Sequence, residues 1–255
     1  MDRPLRQKIG LFFDTMRKNA YGIRPYLVRD GKVHPVAILI PGGGYRRVCT
    51  TIEGRPLARE LNAMGIHAVV LYYRVREKGR YPAPQEDLAR AVRELFAKAK
   101  RWKLDMTGYS VWGASAGGHL AASFGTESMG WKHFDLPRPG AMVLLYPVVT
   151  MGEKAHQGSR DHLLGPDPSP ETVYRTSVET QITEAYPPTF LWWGEDDDCV
   201  DPENSKMLMA ALDANGVSCV CTEYKNTGHG VGLGKGLPCE GWLQKAVAFW
   251  EMYRK

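Results

Sequence analysis

Apolar residues in this chain fall into two alternating kinds of run. The first kind is short and nearly unbroken: residues 36–40, 66–73, 109–112, 141–149, 189–193 and 217–224. Runs of that length suit strands buried on both faces. The second kind is periodic. Residues 56–64 place Leu57, Leu61 and Met64 on one helical face, with Gly65 positioned to close the helix. Residues 86–100 carry Leu88, Val92, Leu95, Phe96 and Ala99 on one stripe, and 115–124 read as an Ala-rich helix directly after the strand at 109–112. Helices at 203–214 and 241–253 complete the set, the last turning Trp242, Ala246, Phe249 and Trp250 inward. Strands alternating with amphipathic helices predict an α/β fold with a mostly parallel central sheet covered on both faces.

One segment breaks the alternation. Residues 150–186 show little periodicity and gather Pro166, Pro168 and Pro170 among charged residues. Such a stretch reads either as a small lid or as a long crossover with one short helix. A chain of 255 residues with 44% apolar content can build a full core, which excludes a disorder-dominated protein. The net charge of +5 comes from interspersed signs, and the densest basic stretch, 90–103, is interleaved with apolar residues as on a solvated helix face. Nucleic acid is therefore not an expected partner. Cys49, Cys199, Cys219, Cys221 and Cys239 form no CxxC pair, so neither a disulfide framework nor a zinc site is indicated, and a reducing cytoplasm suits them. Arg3, Arg6 and Lys8 stand near an apolar run, 9–13, that is too short for a signal-peptide core. No run reaches the ~18 apolar residues of a membrane span. A soluble, cytoplasmic protein is expected.

The chemistry concentrates in a few loops. Gly113 to Gly117 spell GxSxG between an apolar strand and an Ala-rich helix. That is the context of a nucleophile elbow, in which a strained turn projects the serine hydroxyl from the sheet and the helix start offers backbone NH groups to an oxyanion. Ser115 then needs a base and an orienting acid. Among seven histidines, His229 stands out because it lies in a Thr-Gly-His-Gly loop after the strand ending near Tyr224, where sites on parallel sheets assemble. His119 and His67 read as structural histidines, and nothing around His133, His156 or His162 recommends them. The acid should fall between Ser and His in chain order. The loop Glu195, Asp196, Asp197, Asp198, Cys199, Val200, Asp201 offers several carboxylates, of which Asp201 can also cap the helix after Pro202. No regular ligand spacing there supports a metal. A second oxyanion donor, beside the NH of Ala116, fits Gly42, Gly43 and Gly44. The phosphate-loop alternative lacks its Lys and Ser/Thr.

Taken together, PGGGY at 41–45, YPAPQED at 81–87, GASAGGHLA at 113–121, EDDDCVDPENS at 195–205 and GHGVGL at 228–233 resemble the α/β-hydrolase fold. Within it they are similar to the small esterase/lipase group that includes carbohydrate acetyl esterases and feruloyl-esterase-like proteins. The resemblance implies one domain over 1–255 with a minimal lid at 150–186. It implies Ser115 as nucleophile, His229 as base, Asp197 as the acid of the DxxVxP pattern, and the NH groups of Ala116 and of Gly43 or Gly44 as the oxyanion hole. It further implies hydrolysis of short acyl esters, acetyl groups on xylan or xylo-oligosaccharides, with no cofactor. Pro41 stands where related lipases of the HGGG type carry His, so the oxyanion loop must be held differently. Tyr45, Trp131, Trp192 and Trp193 are candidate sugar-contacting aromatics, with burial in the core as the alternative. A prolyl-oligopeptidase-like peptidase shares two of the loops but carries a propeller for which the length leaves no room. A noncatalytic binding protein would be expected to have lost a triad member.

Overall fold

A computed structural model of the chain describes residues 19–254. Arg3, Arg6, Lys8 and the run at 9–13 lie outside the described residues. Seven strands form one sheet: β1 (Gly22–Tyr26), β2 (His34–Ile40), β3 (His67–Tyr72), β4 (Leu104–Ala114), β5 (Ala141–Leu145), β6 (Thr189–Gly194) and β7 (Cys219–Tyr224). Across the sheet their order is β1-β3-β2-β4-β5-β6-β7, with β1 antiparallel to β3 and all other neighbours parallel. Every residue of β3, β5 and β6 is buried. Successive strand side chains point to opposite faces, so both faces of the sheet are covered.

The covering helices are α1 (Thr50–Glu53), α2 (Arg55–Ala63), α3 (Ala83–Trp102), α4 (Ser115–Gly125), α5 (Gln157–Leu164), α6 (Pro170–Thr176), α7 (Glu203–Ala214) and α8 (Trp242–Tyr253). Leu88, Val92 and Leu95 of α3 are fully buried, as are Trp242, Ala246 and Trp250 of α8. Gly65 follows α2 at φ +77, the left-handed geometry that a helix end favours. No helix among the described residues is long and apolar enough to cross a membrane.

The structure departs from the sequence pattern in several places. The strand β1 carries a Pro and an Arg in five residues and lies at the sheet edge, so it has no apolar run to betray it. The strand β4 begins five residues earlier than its apolar run, because a register shift against β2 and a left-handed Gly108 carry it past Thr107. The strand β5 stops at Leu145 although the apolar run continues to Val149, since Tyr146 turns the chain at φ +36. Residues 150–186 form two helices, α5 and α6, and a 3-10 turn at Val178–Gln181, which is more structure than one short helix.

Candidate active site

The strand β4 runs into α4 with no intervening loop, and Ser115 makes the turn at φ +53. That region is costly for a residue with a Cβ, so its neighbours must leave room. A Cβ on Gly113 would lie 2.2 Å from the Gly117 carbonyl oxygen, and one on Gly117 would lie 2.1 Å from that of Ile40. These two glycines let the first turn of α4 press against β4 and the end of β2. Ser115 is thereby held at the carboxyl edge of the sheet, only 7% exposed.

The other two predicted residues arrive from the next loops along that edge. A Cβ on Gly194, at the end of β6, would sit 1.8 Å from the Thr227 carbonyl oxygen. Only glycine allows the acidic loop and the histidine loop to meet so closely. His229 Nδ1 donates to Asp197 Oδ2 at 2.7 Å, and Nε2 accepts from Ser115 Oγ at 2.8 Å. The buried Asp197 is fixed in turn, because its Oδ1 accepts from the NH groups of Cys199 and Val200 at 3.0 and 2.9 Å. Asp201 Oδ1 accepts at 2.9 Å from the N–H of Glu203, the first residue of α7, although the N-cap position itself falls to Pro202 and not, as expected, to Asp201. Asp196 and Asp198 make no bond to His229, so the position five residues before Pro202 is the one that the geometry selects.

How the Pro41 loop is held is a feature that the sequence did not reveal. Glu53, at the end of the four-residue α1, is 5% exposed. Its Oε2 accepts from Gly42 N–H at 2.7 Å and its Oε1 from Tyr146 O–H at 3.0 Å. The same Tyr146 oxygen accepts from Gly232 N–H at 3.2 Å, and the ring packs edge-on to His229 with centroids 4.7 Å apart. Tyr73 O–H donates to the Pro41 carbonyl at 2.9 Å. One carboxyl thus ties the glycine loop to the turn after β5 and, through Tyr146, to the histidine loop. Burial pushes the Glu53 pKa up, opposed by these hydrogen bonds. Gly43 and Gly44, at φ +123 and +62, face the pocket with Ser115, and the Ala116 amide lies in the first turn of α4. First-turn amides lack intrahelical acceptors, so this is a place where an oxyanion can be met.

The pocket above Ser115 and His229 has a volume of about 420 Å³ and is open to solvent. Its walls come from two segments: the loop carrying Arg46, Arg47, Cys49 and Ile52, and the α5 region with His156, Gly158 and His162. His156 and His162, which nothing in their sequence surroundings recommends, therefore stand in the pocket wall. His156 caps α5 with its ring: Nδ1 accepts from Ser159 N–H at 3.2 Å and from Ser159 O–H at 2.8 Å. That leaves the proton on Nε2, which points to Cys199 Sγ at 3.8 Å and to the pocket. Burial lowers the His156 pKa, in keeping with a neutral ring.

The other histidine readings hold. His119 is fully buried between Tyr45 O–H and the Thr176 carbonyl, both at 2.8 Å, and burial pulls its pKa down to about 4. His67 accepts from Val28 N–H and donates to the Lys103 carbonyl. The candidate sugar aromatics do not line the pocket: Tyr45, Trp192 and Trp193 are core residues, and Trp131 packs against the core with its Nε1–H on the Gly125 carbonyl. Cys219 and Cys221 are half-buried and not fully covered, because β7 is the sheet edge. No cluster of three or more His, Cys, Asp or Glu side chains that could hold a metal occurs among the described residues.

Comparison with known proteins agrees with this architecture. A model of the BD-FAE family matches residues 26–212. The crystal structure of an acetyl ester-xyloside bifunctional hydrolase from Caldicellulosiruptor lactoaceticus is 36% identical, covers 91% of this chain and 88% of its own, and superposes with a TM-score of 0.84. Endo-1,4-beta-xylanase B of Butyrivibrio fibrisolvens is 34% identical over 76% of this chain, and the acetylxylan esterase of Xylanibacter ruminicola is 28% identical over 88%. The chain spans 32% and 50% of the length of these two curated relatives. The fold is that of the α/β-hydrolases.

Proposed function

Because this chain belongs to the BD-FAE family of esterase-like α/β-hydrolases, we propose that it is a serine carboxylesterase that removes short acyl groups, acetyl above all, from carbohydrate such as xylan or xylo-oligosaccharides. The observation that carries the reading is the unbroken line of two hydrogen bonds from Asp197 through His229 to Ser115. As the Ser115 oxygen attacks the acyl carbonyl, His229 Nε2 takes its proton, and Asp197 holds the ring in the tautomer that can accept it and stabilises the cation formed. The carbonyl oxygen, now an oxyanion, is met by the amides of Ala116 and of Gly43 or Gly44. His229 returns the proton to the departing sugar oxygen, leaving an acyl-enzyme on Ser115. Water, deprotonated by the same His229, then releases the acid.

Acetylated carbohydrate is supported by the relatives, two of which are named for acetyl ester-xyloside and acetylxylan hydrolysis. The pocket is open, with Arg46, Arg47, His156 and His162 around a mainly apolar lining, an arrangement that suits a short acyl group carried on a polar alcohol. The test is acetate release from acetylated xylan together with labelling by a fluorophosphonate. Wild type should do both, and Ser115→Ala should lose labelling and on the order of 10⁴-fold or more of its turnover. Full turnover of p-nitrophenyl acetate by Ser115→Ala would refute the mechanism. Turnover of that ester with none of any acetylated sugar would refute the substrate.

A further inference from the structure

Arg46 and Arg47 follow the glycine loop after the buried Tyr45 and line the pocket that holds Ser115 and His229. Their backbone is fixed: both amides donate to the Gly43 carbonyl, at 3.1 and 3.2 Å, and Arg76 Nε donates to the Arg46 carbonyl at 3.0 Å. Their guanidinium groups are exposed and, among the described residues, have neither a carboxylate nor a hydrogen-bond acceptor. Some arginines elsewhere are held by carboxylates, Arg74 by Asp87 and Glu86 and Arg254 by Asp105 and Glu251; what sets Arg46 and Arg47 apart from other exposed arginines is their place in the wall of the pocket that holds Ser115.

The pocket cannot neutralise the pair from within. Its one acidic lining residue is Glu53, which is buried and already occupied by Gly42 N–H and Tyr146 O–H. Negative charge lies instead across the ridge formed by His156 and Cys199, in an adjoining groove lined by Glu153, Asp197, Asp198 and Asp201, where the one cation, Lys154, pairs with Asp201 at 3.4 Å and leaves an acidic excess. The mouth of the site is therefore polarised, cationic beside the oxyanion loop and anionic beyond the ridge. Such a field orients a charged substrate as well as attracting it.

We infer that Arg46 and Arg47 recognise a carboxylate on the substrate, so that esters bearing an anionic group near the scissile bond are preferred over neutral ones. The inference rests on the ester-hydrolase reading of the site and adds to it a substrate charge. Paired guanidinium forks match carboxylate oxygens in a way that a lysine would not. The carboxylate can belong to the alcohol side, as in a uronic acid branch on a xylo-oligosaccharide, or to the acyl side, as in a dicarboxylic half-ester.

Two substrate pairs separate these sources: acetylated xylo-oligosaccharides with and without a glucuronic acid branch, and mono-p-nitrophenyl succinate against p-nitrophenyl butyrate. In wild type, at least one anionic member should show a kcat/KM about tenfold higher than its neutral partner, mainly through KM, as expected for a hydrogen-bonded charge pair. The preference should shrink as salt is raised, since exposed charges are screened. In the double variant Arg46→Gln, Arg47→Gln the ratio should fall to about one, and in Arg46→Lys, Arg47→Lys it should lie between. Turnover of the neutral esters with no preference in either pair, or a preference that survives the double Gln variant, would overturn the inference alone. Inactivity on all four esters would overturn the ester-hydrolase reading with it.

Discussion

Ser115, on the floor of the pocket, is 7% exposed and sits between glycines at which an added methyl group would strike backbone at about 2 Å. Arg46 and Arg47, on its rim, are exposed and anchored only through their main chain. The floor is set by close approach of backbone to backbone: Gly113 and Gly117 at the elbow, and Gly194 against Thr227 between the acid and base loops. No side chain can vary there without moving a strand end. The rim is set by side chains on a glycine loop and on one short helix, where a change of residue leaves the sheet alone. On the proposed mechanism, bond-making is confined to the part that cannot adjust, and choice of substrate to the part that can.

The sharpest way to break this contrast is at Asp197. Asp197→Asn keeps an acceptor for Cys199 and Val200 N–H but offers His229 an amide, so kcat on p-nitrophenyl acetate should fall about 10⁴-fold with the fold intact. A loss under tenfold would mean that the floor is far less demanding than its geometry. Next comes a matched pair of glycine substitutions read by thermal unfolding. Gly117→Ala should cost about 3 kcal/mol or more, because its Cβ meets the Ile40 and Pro41 carbonyls at 2.1 and 2.5 Å. Gly158→Ala, on the rim helix, meets only the His156 ring, Cε1 at 3.4 Å and Nε2 at 3.9 Å, and should change stability by less than about 1 kcal/mol in either direction. Equal losses would erase the distinction. The smallest effect is expected at His156. Asn caps helices well, so His156→Asn should preserve α5 while removing the Nε2 donor from the pocket, raising KM for sugar esters about three- to tenfold. A fall in kcat with KM unchanged would place His156 with the floor.

The floor was legible in the sequence and the rim was not, for the same physical reason. An elbow needs small residues at fixed spacing around a serine, and parallel strands need unbroken apolar runs, so both leave a mark in the order of residues. Ser115, His229 and the Asp197 loop could be found from such marks. Arg46, Arg47 and His156 lie in segments without periodicity, and their meaning comes from what faces them across the pocket. Glu53 is the clearest case. It occupies a four-residue helix, and only its contacts with Gly42 and Tyr146, one of them 93 residues away, reveal what it does. The edge strand β1 was missed because five residues including Pro25 and Arg24 form no apolar run.

The separation of Ser115 from His229 along the chain, 114 residues, also carries a consequence for the birth of the protein. The proposed nucleophile, acid and base leave the ribosome in that order, from beyond the ends of β4, β6 and β7. Domains fold largely as units once their long-range strand pairings can close. A nascent chain that has emerged only through α7 has the serine and the carboxylate but no imidazole between them. The proposed hydrolytic power would therefore switch on only after nearly the whole sheet exists to hold it.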